Sequence, residues 1–238
     1  MENDKDKNNV VQFKNAKKQK QDHKAQSASE AVEPMVNLPD GVKHLVAALI
    51  AIHLGLWALS QASSQDFLYD MTLYLGFMPA RFTGGQEFFI YTILTPITYA
   101  LFHGSFTHVG INAVMLAAFG SGFEKMMGLR NLMIVFWGAS IIAAGVHFAL
   151  DSHSMVPMVG ASGGVSGLFA GVIYLFHRMG KLSASRKLLP VIGVFVGISI
   201  VFALIGGTDG SSIAWAAHIG GFLGGLALTY LIIKRGVR

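Results

Sequence analysis

The sequence predicts an all-α protein, a polytopic membrane bundle of six transmembrane helices. Of its 238 residues, 53% are hydrophobic and only 13% are charged, whereas soluble domains carry about 25% charged residues. Many of the 28 glycines lie inside apolar runs, where small residues let membrane helices pack closely. Most of the runs approach the ~20 residues that a bilayer crossing needs. The six runs cover roughly residues 42–62, 101–123, 132–150, 162–176, 188–205 and 213–233.

Residues 1–40 differ from everything that follows them. Lysines mingle there with acidic residues, Asn and Gln, and apolar residues are few. Such a segment cannot bury enough apolar surface to offset the entropy lost on ordering, so we expect a disordered cytoplasmic tail. It has no short apolar core followed by a small-residue cleavage site, so it is not read as a signal peptide. Residues 41–238 are expected to form one six-helix domain.

Composition also excludes several classes of function. The net charge of +5 does not indicate nucleic-acid binding, because the basic residues are confined to particular loops and tails. Cysteine is absent, which excludes disulfides, a thiolate nucleophile and cysteine-based metal sites. By the positive-inside rule the basic loops are cytoplasmic. Both termini then lie inside, which fits an even number of spans in a bacterial inner membrane.

The long loop over residues 63–100 is expected on the outer side. It is rich in Phe and Tyr, and aromatic side chains favour the membrane interface. Short helices within it are compatible with its sequence, but their positions are not predicted. Arg81 is the lone basic residue in the predicted outer loops.

Three polar residues occupy one predicted depth on the spans that descend from outside to inside. His108, Ser162 and His218 each precede the first cytoplasmic charge on their span by 16 residues, or about 24 Å of helix. Against a hydrocarbon core of about 30 Å, all three lie a little below the outer surface. Asn112 follows His108 by one helical turn and shares its face. The charges used for this count are Glu124, Arg178 and Lys234.

These residue types suit acyl transfer. A serine is a weak nucleophile until a positioned base takes its proton, and His218 could take the proton of Ser162 and later return it to the leaving amine. His108 and Asn112, with the Ser162 backbone N–H at a helix start, could stabilise a tetrahedral oxyanion. No acidic residue is predicted at this depth, so the sequence favours a Ser-His dyad.

Small residues make the required approach of two helices feasible. Gly163 follows the serine directly, and Gly221 and Gly225 lie on roughly the same face as His218, so both helices present a slim side. Serine among small residues is usually a packing feature, and His44 and His53 are expected to be incidental. A metal site built on His103 and His108 fails on spacing, since five residues turn a helix by about 140° from one ring to the other. No metal or other cofactor is expected.

At these residues the sequence resembles the rhomboid family of intramembrane serine proteases. The resemblance covers residues of about 42 to 235 and implies Ser162 as nucleophile, His218 as base, and an oxyanion hole that includes His108 and Asn112. His103 would be a structural residue near the outer surface, with Gly160 supporting the nucleophile. The matching motifs, in the family's order on three separate spans, are His103-x4-His108-x3-Asn112, Gly160-Ala161-Ser162-Gly163 and Ala217-His218-Ile219-x-Gly221-x3-Gly225.

Three positions depart from the family's pattern. Leu94-Thr95 stands where many bacterial members have Trp-Arg, and Met126 stands where many have arginine after the glutamate that ends the second span. Ser166 stands where some members have an aromatic residue under the catalytic histidine. The resemblance therefore does not predict how the outer loop is anchored or which residues support His218.

The expected substrate is another membrane protein, cleaved near the outer end of a transmembrane segment with small or helix-destabilising residues, because a regular helix hides its carbonyls in hydrogen bonds. The expected partners are therefore membrane-protein substrates and the lipid bilayer, with no nucleic acid. The glycine-rich loop 206–212 is the expected cover of the site. Two alternatives stay open, a catalytically inactive rhomboid-like binder and a small transporter, although the internal repeats or paired broken helices of transporters are not evident.

Overall fold

A computed structural model describes residues 37–63, 66–181 and 213–236, together with Pro190, Gly193 and Gly197. From Leu38 onward they belong to one compact unit. Regular structure in this part of the chain is helical, apart from one antiparallel bridge between Phe77 and Met158. The longer helices are α1 (Asp40–Gln61), α2 (Phe67–Leu75), α3 (Phe106–Met127), α4 (Leu129–Leu150), α5 (Ser162–Arg178) and α6 (Ile213–Gly236).

Four of these helices are long and apolar enough to cross a membrane: α1, α3, α4 and, from Trp215, α6. Helix α5 has 17 residues, fewer than the ~20 of a typical crossing. Apart from Pro190, Gly193 and Gly197, the run at 188–205 lies outside the described residues, as do the expected cover at 206–212 and the tail at 1–36. The all-α membrane bundle is confirmed, and the number of six crossings stays a prediction.

Helix α1 begins with its first amides capped by a residue from another helix. Pro39 precedes the helix in an extended conformation. The Glu124 carboxylate accepts hydrogen bonds from the backbone N–H groups of Gly41 (3.0 Å) and Val42 (2.9 Å). A carboxylate at this end satisfies two of the N–H groups that a helix start leaves unpaired and complements the helix dipole. Glu124 therefore connects the C-terminal end of α3 to the start of α1.

Helix α3 begins at Phe106, later than the expected start near residue 101. Ser105 has extended backbone, and its side chain accepts a hydrogen bond from the His108 N–H at 3.1 Å, so it acts as the N-cap. Residues Leu116–Gly120 form a π-turn between two α-helical segments. A π-turn accommodates one more residue than the α-helix around it. The distance along α3 from His108 to Glu124 is therefore slightly shorter than the residue count predicts.

Helices α4, α5 and α6 pack against one another. The crossings are lined by glycines whose Cα atoms face another helix directly. A Cβ at Gly164 would meet the Phe136 ring of α4 at 2.7 Å, and one at Gly171 would overlap Phe123 of α3. Large side chains from α1, α3, α4 and α5 form one buried core: Leu49, Leu116, Phe123, Leu132, Phe136 and Leu168.

The segment between α1 and α3, which the sequence predicts on the outer side and which we call the outer segment, is described over residues 66–105. It contains α2, a 3-10 turn at Pro79–Arg81, and a run of short helical turns from Ile90 to Leu101. Arg81 is buried, and its guanidinium carbon lies 5.9 Å from the ring centres of both Tyr74 and Phe89. These cation–π contacts tie the two halves of the segment together without the Trp-Arg pair.

Candidate active site

Ser162 is the first residue of α5, and a glycine turn delivers the chain to it. Gly160 has φ of +114°, a backbone conformation that residues with a Cβ rarely adopt. Ala161 follows as the N-cap, with φ of −72° and ψ of −4°. Ser162 itself is half-buried, whereas the residues that follow it, through Gly171, are buried. The serine therefore lies at a helix start, where backbone N–H groups without helical partners favour negative charge.

His108 and Asn112 lie against this turn. A Cβ added at Gly160 would stand 2.7 Å from Nε2 of His108 and 3.7 Å from Nδ2 of Asn112. Asn112 is buried, and its Nδ2 also donates to the His108 carbonyl at 3.1 Å. The four-residue spacing predicted a shared helix face, and both side chains do face the turn that precedes Ser162.

His103 makes a hydrogen bond to Ala161, the residue that follows Gly160 in the turn. Its Nε2 accepts a hydrogen bond from the Ala161 N–H at 3.3 Å, which requires an unprotonated nitrogen. Burial, with smaller effects from His108 and His53, lowers the pKa of His103 to about 3, so the neutral ring is the one present at ordinary pH. Its ring also contacts that of His108, edge to face at 5.0 Å between centroids. These contacts fit the structural role that the resemblance implies for His103.

His218 lies on α6 one turn before its closest approach to α5. A Cβ at Gly221 would overlap the Gly163 carbonyl, and one at Gly225 would overlap the Gly167 backbone. The predicted backbone-to-backbone approach of these two helices is therefore confirmed. It brings the buried His218 to the part of α6 that faces the start of α5. His108 is also near enough to interact electrostatically with His218.

Tyr99 is a contact residue that the motifs do not reveal. It is buried at the end of the short turns of the outer segment, and its carbonyl accepts the Gly160 N–H at 3.0 Å. Its hydroxyl donates to the Ser140 carbonyl of α4 at 2.8 Å. A Cβ at Gly163 would stand 2.8 Å from the same hydroxyl. The sequence signal that could have indicated this role is the tyrosine itself, four residues before His103. A buried tyrosine hydroxyl usually has a hydrogen-bond partner.

The outer segment is also paired with the loop that leads to Ser162. Phe77 and Met158 exchange two backbone hydrogen bonds of 2.9 Å, and the Ala80 N–H donates to the Ser154 carbonyl at 3.0 Å. No role is expected for His53 from the sequence, yet its buried ring packs edge-on against Phe106 at 4.6 Å between centroids. The backbone pairing that holds the segment before Ser162 carries no periodic sequence signal.

The resulting arrangement places the imidazole of His108 and the carboxamide of Asn112 beside the turn that leads into the half-buried Ser162, and the helix that carries His218 packs against the start of α5. Within the described ranges, no group of three or more His, Cys, Asp or Glu residues could hold a metal ion. The buried Ser166 lies one turn below Ser162 on α5. These groups can, in chemical terms, supply a nucleophile, a base and hydrogen-bond donors for an oxyanion.

The helices and the membrane-length apolar spans define a multi-pass membrane protein. Residues 90–235, more than half of the chain, match the family model described as "Rhomboid domain". The chain belongs to the rhomboid family.

Three curated relatives are similar to this chain at modest identity. The "Putative rhomboid protease YdcA" of Bacillus subtilis is 27% identical over 146 residues, which are 61% of this chain and 69% of that protein. "Rhomboid protein 1, mitochondrial" of Saccharomyces cerevisiae is 28% identical over 217 residues, 86% of this chain and 58% of that protein. "Rhomboid-related protein 2" of Mus musculus is 30% identical over 148 residues, 58% and 47% of the two chains. The chain thus spans only part of each relative.

Proposed function

We propose that this protein is an intramembrane serine endopeptidase that uses a Ser162–His218 dyad. The observation that carries the proposal is the packing of the Gly160 turn, which has His108 and Asn112 on one side and leads directly into Ser162. The contact of Gly221 with Gly163 supports it, because it brings the helix of His218 against the helix of Ser162. The names of the relatives from Bacillus subtilis and yeast place both in the same family.

In the proposed reaction, the Ser162 hydroxyl oxygen attacks the carbonyl carbon of a substrate peptide bond while His218 takes the hydroxyl proton. The oxyanion of the tetrahedral intermediate accepts hydrogen bonds from His108, Asn112 and the backbone N–H of Ser162. His218 then gives its proton to the amine as the C–N bond breaks. A water molecule, deprotonated by His218, then attacks the carbonyl carbon of the acyl-enzyme ester. The bond between that carbon and the Ser162 oxygen breaks, His218 returns the proton to this oxygen, and the carboxylic acid product leaves. No cofactor takes part.

The proposed substrate is a transmembrane segment of another membrane protein, cut near its outer end. The protein would lie in a bacterial inner membrane with both termini in the cytoplasm, as the distribution of basic residues favours. A substrate helix must unwind locally before a carbonyl is available for attack. Segments with glycine, other small residues or proline at the cleavage site would therefore be cut in preference to uniform leucine segments.

The test is cleavage of a single-pass model substrate by the purified full-length protein. Ser162→Ala and His218→Ala are expected to abolish cleavage, and a fluorophosphonate probe is expected to label Ser162 in the wild type alone. The exposed residues Ser63 and His177 offer the matched controls Ser63→Ala and His177→Ala, which should cleave normally. Cleavage that persists in Ser162→Ala would overturn the dyad. Binding of the model substrate by a wild type that never labels would instead favour the inactive binder.

A further inference from the structure

Tyr99 contacts the nucleophile loop from both sides of Ser162. Its backbone carbonyl accepts the N–H of Gly160, two residues before the serine, at 3.0 Å. Its hydroxyl lies 2.8 Å from the position that a Cβ would take on Gly163, one residue after the serine. The family resemblance assigns no role to this residue. We propose that Tyr99 is a positioning residue, which sets the place of the Ser162 hydroxyl by fixing the backbone on either side of it.

The tyrosine ring is itself held at its far end. Its hydroxyl donates a hydrogen bond of 2.8 Å to the Ser140 carbonyl on α4, and the side chain is almost completely buried. The phenol has only two side-chain torsions, so fixing its hydroxyl also fixes the backbone to which it is attached. The ring therefore works as a rigid connection between the crossing of α4 with α5 and the carbonyl that receives Gly160.

The surrounding contacts explain why this connection affects the serine more than the fold. Helices α4 and α5 also contact each other at Gly164, where a Cβ would stand 2.7 Å from the Ser140 hydroxyl and from the Phe136 ring. Loss of the Tyr99 hydroxyl leaves that helix contact in place. That loss lets the tyrosine ring move. Movement of the ring weakens the hydrogen bond between the Tyr99 carbonyl and the Gly160 N–H, which holds Gly160 beside His108.

This inference rests on the proposed function, because it concerns the rate at which Ser162 reacts. Catalysis depends steeply on placement, and small displacements of a reacting group cost large factors in rate. We expect Tyr99→Phe to lower kcat about tenfold, with KM changed by less than about twofold, since the side chain is almost completely buried inside the protein. Tyr74→Phe is the matched control in the same outer segment, at a half-exposed tyrosine, and should leave both constants unchanged.

The experiment uses the purified full-length protein with a single-pass model substrate, and kcat is divided by the fraction of molecules in which a fluorophosphonate probe labels Ser162. A purely structural role would lower the labelled fraction and leave kcat per labelled molecule at the wild-type value, which would overturn the proposal. Replacement of Tyr99 by 4-aminophenylalanine restores a donor at the same place and should recover most of kcat. Failure of that rescue would also count against it.

Two further outcomes are distinguishable. If Tyr99→Phe does not fold, 4-fluorophenylalanine at position 99 fills the space of the hydroxyl without donating, and the same tenfold loss is expected from it. A wild type that neither cleaves nor labels at Ser162 would overturn the proposed function together with this inference. An active wild type with an equally active Tyr99→Phe would overturn the positioning role alone.

Discussion

Gly160 and His108 lie so close together that no side chain fits between them. The position of a Cβ on Gly160 is 2.7 Å from Nε2 and 2.8 Å from Cε1 of the His108 ring. The backbone of Gly160 is also in a conformation with positive φ. Two separate physical requirements therefore select glycine here, namely the space beside His108 and the turn that leads into Ser162.

These two requirements can be separated by experiment. Gly160→Ala is expected to reduce cleavage at least about 100-fold, because displacement of His108 moves a proposed oxyanion donor as well as the turn that leads into Ser162. The control is Gly84→Ala, since Gly84 has φ of +81° with nothing within 4 Å of its Cβ position. That variant carries the backbone strain alone and should cleave like the wild type. Equal activity of Gly160→Ala and the wild type would contradict the assigned oxyanion site.

The approach of α6 to α5 gives a second prediction. Gly225→Ala places a methyl group in the backbone of Gly167 and should lower the free energy of unfolding by about 1–3 kcal/mol, with loss of cleavage. Gly236→Ala is the matched control, because Gly236 is in the same helix with nothing within 4 Å. Thermal unfolding in detergent measures the difference. Equal unfolding temperatures for the two variants would show that the helices do not meet as closely as described.

Glu124 is expected to matter for stability. Glu124→Gln removes the charge that caps α1 and weakens the hydrogen bonds from Gly41 and Val42, which should cost about 1–2 kcal/mol. The exposed Glu87 provides the control Glu87→Gln. Chemical or thermal unfolding of the two variants beside the wild type makes the comparison. The prediction fails if both variants unfold with the wild type.

Because His103 is buried, we expect the free energy of unfolding to depend on pH. In the unfolded chain its pKa is near the ordinary value of 6.5, and in the fold burial lowers the pKa to about 3. Between these values the unfolded state binds more protons, so this residue makes the fold less stable as pH falls from about 6.5 towards 3. Its largest contribution to the slope is about 1.4 kcal/mol per pH unit.

The check is the unfolding temperature as a function of pH for the wild type and His103→Gln, whose carboxamide can still accept the Ala161 N–H. The variant should lose less stability than the wild type over this window. The exposed His44 supplies the control His44→Gln, with a wild-type profile. Parallel profiles for all three proteins would refute the assignment of a buried neutral ring to His103.

Much of the bundle could be predicted because membrane helices carry a strong local signal. The ends of α4, α5 and α6 lie within a few residues of the apolar runs that predicted them. The contact between Gly163 and Gly221 could be predicted as well, since small residues at helical spacing mark a close crossing. The shared face of His108 and Asn112 follows from the four-residue spacing alone.

The support of the turn that leads into Ser162 could not be predicted in the same way. The hydrogen bond between Tyr99 and Gly160 and the pairing of Phe77 with Met158 join segments far apart in the chain. They depend on how the outer segment folds back onto the helices. That segment has no hydrophobic periodicity from which its fold could be predicted. The π-turn of α3 was equally hidden, because an apolar run tolerates one additional residue without any change in hydropathy.

That π-turn has a consequence for the rotation of α3 about its own axis. Asn112 and Glu124 are 12 residues apart, and in an uninterrupted α-helix they would point about 120° away from each other. One additional residue taken up by the turn at Leu116–Gly120 brings their directions to within about 20°. The turn thus sets the angular phase between the two ends of the helix. A relative without it would need to be one residue shorter between these two positions to keep the same phase.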